Sequence, residues 1–195
     1  VAGARAIHLA EGMTMGECLI AGLDATDARF VAKFDDDDQY GDYFLHDSLL
    51  VRHFVDAAIV GKKTFYAYLE ATDETVLRFP GSEFTAANRV SGSTMVIDRD
   101  VIGDVRFAAV NLGEDIDLCE RALARGHVVF SADRFNYVAV RRRDPLSHSW
   151  TIGDVNYREG SVRVATGLAL EATIGVRRGL LVLTDRLPES AELVT

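Results

Sequence analysis

The sequence contains no uninterrupted apolar run of the length a membrane-spanning helix requires, about 20 residues. The stretch from Val162 to Leu183 comes nearest and is broken by Arg163, Glu171, Arg177 and Arg178. The first residues read as strand rather than as a secretory signal. Cysteine is nearly missing: Cys18 and Cys119 are far apart, each on the apolar stripe of a predicted helix, and they read as reduced core thiols, in keeping with a reducing compartment. Basic residues are in deficit, with Lys+Arg 21 against Asp+Glu 30 and a formal net charge of −9. That balance excludes a general nucleic-acid binder, which needs a basic footprint. It leaves room for an anionic substrate held by a few local cations or a metal. A glycine-rich phosphate loop of the Walker type is absent, which counts against a P-loop enzyme. There is no internal repeat and no low-complexity linker. What remains is an ordinary globular composition, 48% hydrophobic and 26% charged over 195 residues, enough for one domain with its own core.

Local signals predict strands and helices in alternation at the front and a β-rich middle. Ala4–Leu9 reads as a strand. Thr14 and Glu17 form a capping-box pattern ahead of a helix carrying Met15, Cys18, Leu19 and Leu23 at helical spacing. Phe30–Phe34 is a strand running into Asp35-Asp36-Asp37-Asp38. A helix over Asp42–Phe54 presents Tyr43, Leu49, Leu50 and Phe54. Ala57–Leu69 is β-rich, with Glu74–Phe79 as hairpin partner across Ala71-Thr72-Asp73. Arg89–Ile97 is a strand interrupted by Gly92-Ser93-Thr94. A helix runs from Glu114 to Arg125 with Ile116, Cys119 and Leu123 inward, and Gly126 stops it. His127–Ser131 and Tyr137–Arg141 are further strands. The pattern predicts an α/β sandwich with a mixed central sheet.

Four consecutive aspartates after an apolar strand repel one another, so folding must leave them solvated or near a cation. In extended backbone Asp35 and Asp37 share one face, Asp36 and Asp38 the other. Paired carboxylates at the carboxyl end of a strand suit Mg²⁺ or Mn²⁺, which bind through one or two carboxylates plus substrate phosphates. A solvated acidic turn and a structural Ca²⁺ site are the alternatives. Further on, Glu114, Asp115 and Asp117 open a helix, where carboxylates also serve simply to match the helix dipole. Gly92 and Ser93 suit close backbone approach to a ligand, or a strand bulge. Arg141-Arg142-Arg143 and His148-Ser149-Trp150 follow the last clear strand, as a solvated patch or as cations and an aromatic platform for a ligand.

The run Ala28-Arg29-Phe30-Val31-Ala32-Lys33-Phe34-Asp35-Asp36-Asp37-Asp38-Gln39-Tyr40-Gly41 resembles the metal-binding DXD region of family 2 glycosyltransferases, and Glu17–Leu23 resembles the helix before it, with Ile20 where that family often carries Asn. Gly113-Glu114-Asp115 resembles the family's Glu-Asp motif, and His148-Ser149-Trp150 the His-Thr-Trp of bacterial members. The resemblance covers roughly residues 5–150 and implies a GT-A fold, with residues 151–195 as a C-terminal extension. It implies an inverting, metal-dependent transfer of a sugar from a nucleotide-sugar donor to a glycan or lipid-linked acceptor, of the kind that builds bacterial cell-surface polysaccharide, in the cytoplasm or at the inner face of the membrane. Carried over residue by residue, Asp115 is the general base, with Glu114 positioning the acceptor. Asp35, Asp37, Asp38 and His148 hold Mn²⁺ or Mg²⁺. Asp35, Asp36, Gly92, Ser93, Arg141, Arg142 and Trp150 line the donor and acceptor pocket. The resemblance further implies a strand–helix–strand ahead of Val1 that holds the nucleoside, so the isolated chain is expected to have little transferase activity. A metal-dependent nucleotidyl or phosphoryl transferase on a related scaffold, and a non-catalytic domain that kept the fold, are the competing readings.

Overall fold

The computed structural model describes residues 6–144 and 157–174. In chain order these form α1 (Met15–Asp24), β1 (Phe30–Ala32), β2 (Gln39–Tyr40), α2 (Phe44–Leu50), β3 (Ala57–Gly61), β4 (Phe65–Leu69), β5 (Glu74–Arg78), β6 (Thr85–Ala86), β7 (Val96–Asp98), α3 (Arg99–Ile102), α4 (Glu114–Ala124), β8 (Val128–Ser131), β9 (Tyr137–Arg141), β10 (Ser161–Thr166) and α5 (Leu170–Thr173). Short 3₁₀ turns cover Val51–His53 and Gly92–Thr94. The chain is mixed α/β, with two mixed five-stranded sheets ordered β1-β7-β3-β8-β6 and β10-β5-β4-β9-β2. Among the described residues no helix is long and apolar enough to cross a membrane.

The first sheet is covered on both faces. Ile59, Ile97 and Val129 share one core with Leu23 of α1, Ile102 of α3 and Leu118, Cys119 and Ala122 of α4. On the opposite face Val60 packs with Val51 and Ala132. The alternation of Ile59 and Val60 is the period-2 signature of a strand buried on both sides. The second sheet buries Phe65, Ala67, Leu69, Val76, Tyr137 and Ala139 against Phe44 of α2 and Tyr157. Helix α2 thus begins in one core, and the 3₁₀ turn that follows it reaches the other.

Three connections pass from the first sheet to the second at the same end. β1 leads to β2 through the four aspartates, β3 to β4 through Lys62-Lys63-Thr64, and β8 to β9 through Ala132–Asn136. β1 and β3 both run antiparallel to β7, and β8 runs parallel to β3. The carboxyl ends of these three strands therefore gather along one seam, the kind of position where α/β sheets bind ligands.

The β-rich stretch 57–69 is in fact two strands in different sheets. Gly61 is pressed against Val90, to which an added Cβ would come within 2.6 Å, and the backbone N–H of Lys62 donates to the Thr94 hydroxyl. Residues 6–10 form no regular structure, in place of the strand expected over Ala4–Leu9. The expected helix over 42–54 is shorter, and Phe54 is exposed rather than on its apolar face. On α4, Cys119 is buried as expected, but Ile116 and Leu123 are exposed. Leu118 and Ala122 form the inward stripe instead, because the sheet meets the side of Cys119 opposite to theirs. The Thr14 capping box is present in both directions, from the Glu17 N–H to the Thr14 hydroxyl and from the Thr14 N–H to the Glu17 carboxylate.

Candidate active site

The acidic run is the β1–β2 crossing itself. After β1 the Lys33 N–H still donates to the Met95 carbonyl at 3.0 Å, and a turn then closes with the Asp38 N–H on the Asp35 carbonyl at 3.4 Å. β2 enters the second sheet beside β9, with Tyr40 opposite Tyr137. The four aspartates therefore do not continue as a strand. Asp36 is exposed, and Asp35, Asp37 and Asp38 are half-buried.

Asp38 turns inward. One carboxylate oxygen accepts the Tyr137 hydroxyl at 2.6 Å, and the other accepts the Val140 N–H at 2.9 Å. Burial raises its pKa to about 6, against the pull of those two hydrogen bonds, and Asp35 and Asp37 push the same way as burial. Asp35 pairs with the Lys33 ammonium. The Tyr40 hydroxyl accepts the Asp35 N–H at 2.9 Å and donates to the Ser93 carbonyl at 2.8 Å. Burial raises the pKa of both Tyr40 and Tyr137, which keeps these hydroxyls protonated.

That Tyr40 bridge brings the second segment in. Gly92, Ser93 and Thr94 form a tight turn whose groups are committed: the Ser93 hydroxyl meets the Tyr137 hydroxyl at 2.5 Å, and the Thr94 hydroxyl donates to the Ser91 carbonyl. Gly92 lies directly against Asp115, and an added Cβ would stand 2.5 Å from the carboxylate oxygen Oδ2. The other oxygen of Asp115 accepts the Ile116 N–H at 2.8 Å. Gly113 precedes the helix in the left-handed region, φ +81°, and gives it no side-chain cap, so the acidic first turn of α4 faces its free N–H groups. Glu114 is buried, and burial raises its pKa. Asp115 and Asp35 add to that shift while Lys33 opposes it, which places Glu114 within electrostatic reach of both residues at the end of β1.

The two acidic segments thus meet at the seam through Tyr40, Ser93, Gly92 and Lys33. Among the described residues no three His, Cys, Asp or Glu side chains gather into a ready metal-ligand set. Asp38 in particular has both oxygens engaged by β9. Arg141 is buried against Tyr157, and Arg142 is exposed. His148 and Trp150, expected as metal ligand and pocket aromatic, lie outside the described residues.

Lys33, Tyr40 and Tyr137 were not foreseen as site residues. Tyr40 stands two positions past the aspartates, which was the available signal. Tyr137 carried none, because its role depends on a partner 99 residues away. No family model matches this chain, and no curated protein sequence matches it.

Proposed function

We propose that this chain carries the catalytic centre of a metal-dependent, inverting glycosyltransferase that uses a nucleotide-sugar donor. The observation that supports this best is the contact of Gly92 with the Asp115 carboxylate beside the acidic turn at the carboxyl end of β1. A base and a diphosphate-binding region are needed within one sugar's reach of each other, and this seam supplies both kinds of group.

In this reading the acceptor hydroxyl lies against Asp115, which takes its proton as the oxygen forms a bond to the anomeric carbon. The bond from that carbon to the diphosphate oxygen breaks on the opposite side, and the nucleoside diphosphate leaves with the electron pair. Glu114, buried at the first turn of α4 beside Asp115, is suited to position the acceptor. Asp35 and Asp37 are the carboxylates suited to a hard cation, and two carboxylates with substrate phosphates are enough for Mg²⁺ or Mn²⁺. Such a cation supplies charge neutralisation for the leaving diphosphate. Asp38 acts one step back, tying the turn to β9. Gly92 leaves space for the base, and Arg141 is the cation carried by β9, next in sequence to the Val140 that bonds Asp38. The acceptor is taken to be a glycan or lipid-linked sugar.

The test is nucleoside diphosphate release from a panel of nucleotide sugars with Mn²⁺, by the protein including whatever coding sequence precedes Val1. Asp115→Asn is expected to lower kcat by about 10²–10⁴-fold while leaving donor affinity in place. An Asp115→Asn variant that transfers at the parent rate would remove Asp115 from its role. Nucleotide binding indifferent to the sugar would point to a nucleotidyl or phosphoryl transferase instead.

A further inference from the structure

Two arginines meet on one tyrosine in the second sheet. Arg78 ends β5 opposite Phe65, and Arg141 ends β9 opposite Leu69. Phe65 and Leu69 point to the same buried face of β4, so both arginine side chains run over that face. Their guanidinium carbons lie 4.2 Å and 5.0 Å from the centre of the Tyr157 ring. Arg78 also lies 4.6 Å from the Phe79 ring centre. Arg78 is only 6% exposed.

The polar surroundings of Arg78 are thin. One terminal nitrogen reaches the Glu159 carbonyl at 3.2 Å and the Ser161 hydroxyl at 3.4 Å. Its Nε has no hydrogen-bond partner, and among the described residues Arg78 joins no ion pair. Stacking uses the faces of a guanidinium and leaves its in-plane N–H donors unspent. Buried charges are ordinarily paired, and a second cation beside this one adds repulsion. Burial indeed lowers the pKa of Arg78, and Arg141 contributes in the same direction. What Arg78 lacks is an anion with a fork of oxygens, the natural complement of a guanidinium.

We propose that Arg78, held beside Arg141 by Tyr157, forms a subsite for an oxyanion of the substrate, a phosphate or a carboxylate. The subsite adjoins the acidic turn: the residue before Arg141 gives its N–H to Asp38, and Tyr157 packs in the same core as Tyr137. Two groups of a sugar-transfer reaction carry this chemistry, the leaving diphosphate and an acidic group on the acceptor. Which molecule bears the anion rests on the glycosyltransferase reading; the anion site itself does not.

The experiment titrates the full chain, without metal, with inorganic pyrophosphate and separately with glucuronate, following arginine Nε–Hε signals and the melting temperature. One of the two is expected to bind at millimolar concentration or below, to move the Arg78 signal and to raise Tm. Arg78→Gln should weaken that binding about tenfold or more, and Arg78→Lys should retain part of it. If Arg78→Gln does not fold, Arg78→Lys and the parent spectrum decide the matter. Preference for pyrophosphate assigns the subsite to the leaving group, and preference for glucuronate to an acidic acceptor. An Arg78 signal indifferent to both anions, or binding unchanged in Arg78→Gln, overturns the proposal. Asp115→Asn should leave the binding intact. A protein that binds pyrophosphate through Arg78 but transfers no sugar keeps the subsite and loses the transferase reading; an active transferase with unaltered anion binding in Arg78→Gln does the reverse.

Discussion

Asp38 is held ionised at a cost. Its folded pKa of about 6 lies above the ordinary carboxylate value of 3.8 because burial outweighs the hydrogen bonds from Tyr137 and Val140. The folded state therefore binds this proton more tightly than the unfolded chain does. The stabilising effect is fully present below the unfolded pKa and is lost as pH rises through the folded one. Asp38→Asn keeps an acceptor for the Val140 N–H and does not titrate. Urea unfolding should show the parent losing ground to Asp38→Asn between pH 4 and pH 7, by at most about 3 kcal/mol. Parallel stability profiles for the two proteins would mean that the carboxylate is better solvated than its setting indicates. Cys119 shows the same physics in a thiol, which burial pushes up to about 11. That agrees with the reduced core thiol read from its place on a helical stripe. Cys18 is only half-buried.

Among the elements, the turn at Gly92–Thr94 ties the two acidic segments together, and glycine at its start has a geometric reason. An added methyl would meet the whole Asp115 side chain, with Oδ2 at 2.5 Å and both Cβ and Cγ at 3.0 Å. Rotation frees the carboxylate oxygen, but the Asp115 Cβ is fixed to α4, so the helix start must also give way and Gly92→Ala should cost about 1–3 kcal/mol. It should also displace the carboxylate. On the glycosyltransferase reading, kcat should then fall nearly as far as in Asp115→Asn, measured at a temperature where the variant is still fully folded. A Gly92→Ala enzyme of full activity would show that Asp115 works from another position. What could be read beforehand at this scale followed from range. The Thr14–Glu17 cap and the β4–β5 hairpin are local in sequence, and both were legible. The two-residue strands β2 and β6 were not, because partners far along the chain define them. The aspartate run and Glu114-Asp115 stood out as charge beside apolar periodicity. Tyr40 and Tyr137 looked like ordinary aromatics, since their bonds span 53 and 99 residues.

For the molecule as a whole, the expectation of one central sheet gave way to two sheets joined by three crossings along a seam. What holds that seam includes a buried ion pair. Lys62 follows β3 and is 1% exposed; its ammonium reaches the Asp133 carbonyl at 2.9 Å and the Asp133 carboxylate at 3.2 Å, and lies 5.6 Å from the Phe44 ring centre. Asp133 lies in the β8–β9 crossing and also accepts the Phe135 N–H at 2.6 Å. Asn136, at φ +61°, donates to the buried Asp47 of α2 at 3.0 Å. One lysine thus links two crossings beside two buried carboxylates, and electrostatically it opposes the shift that burial imposes on Asp47. Lys62→Met should cost about 3–5 kcal/mol, because it leaves the Asp133 charge buried without its cation. The double variant Lys62→Met, Asp133→Asn should recover much of that loss, since a neutral amide still accepts the Phe135 N–H. Both sheets depend on the seam, so urea transitions followed by far-ultraviolet circular dichroism and by tyrosine fluorescence should coincide in every variant. If Lys62→Met falls within about 1 kcal/mol of the parent, or the two probes separate, the crossings are held by apolar packing alone and the ion pair only specifies their register.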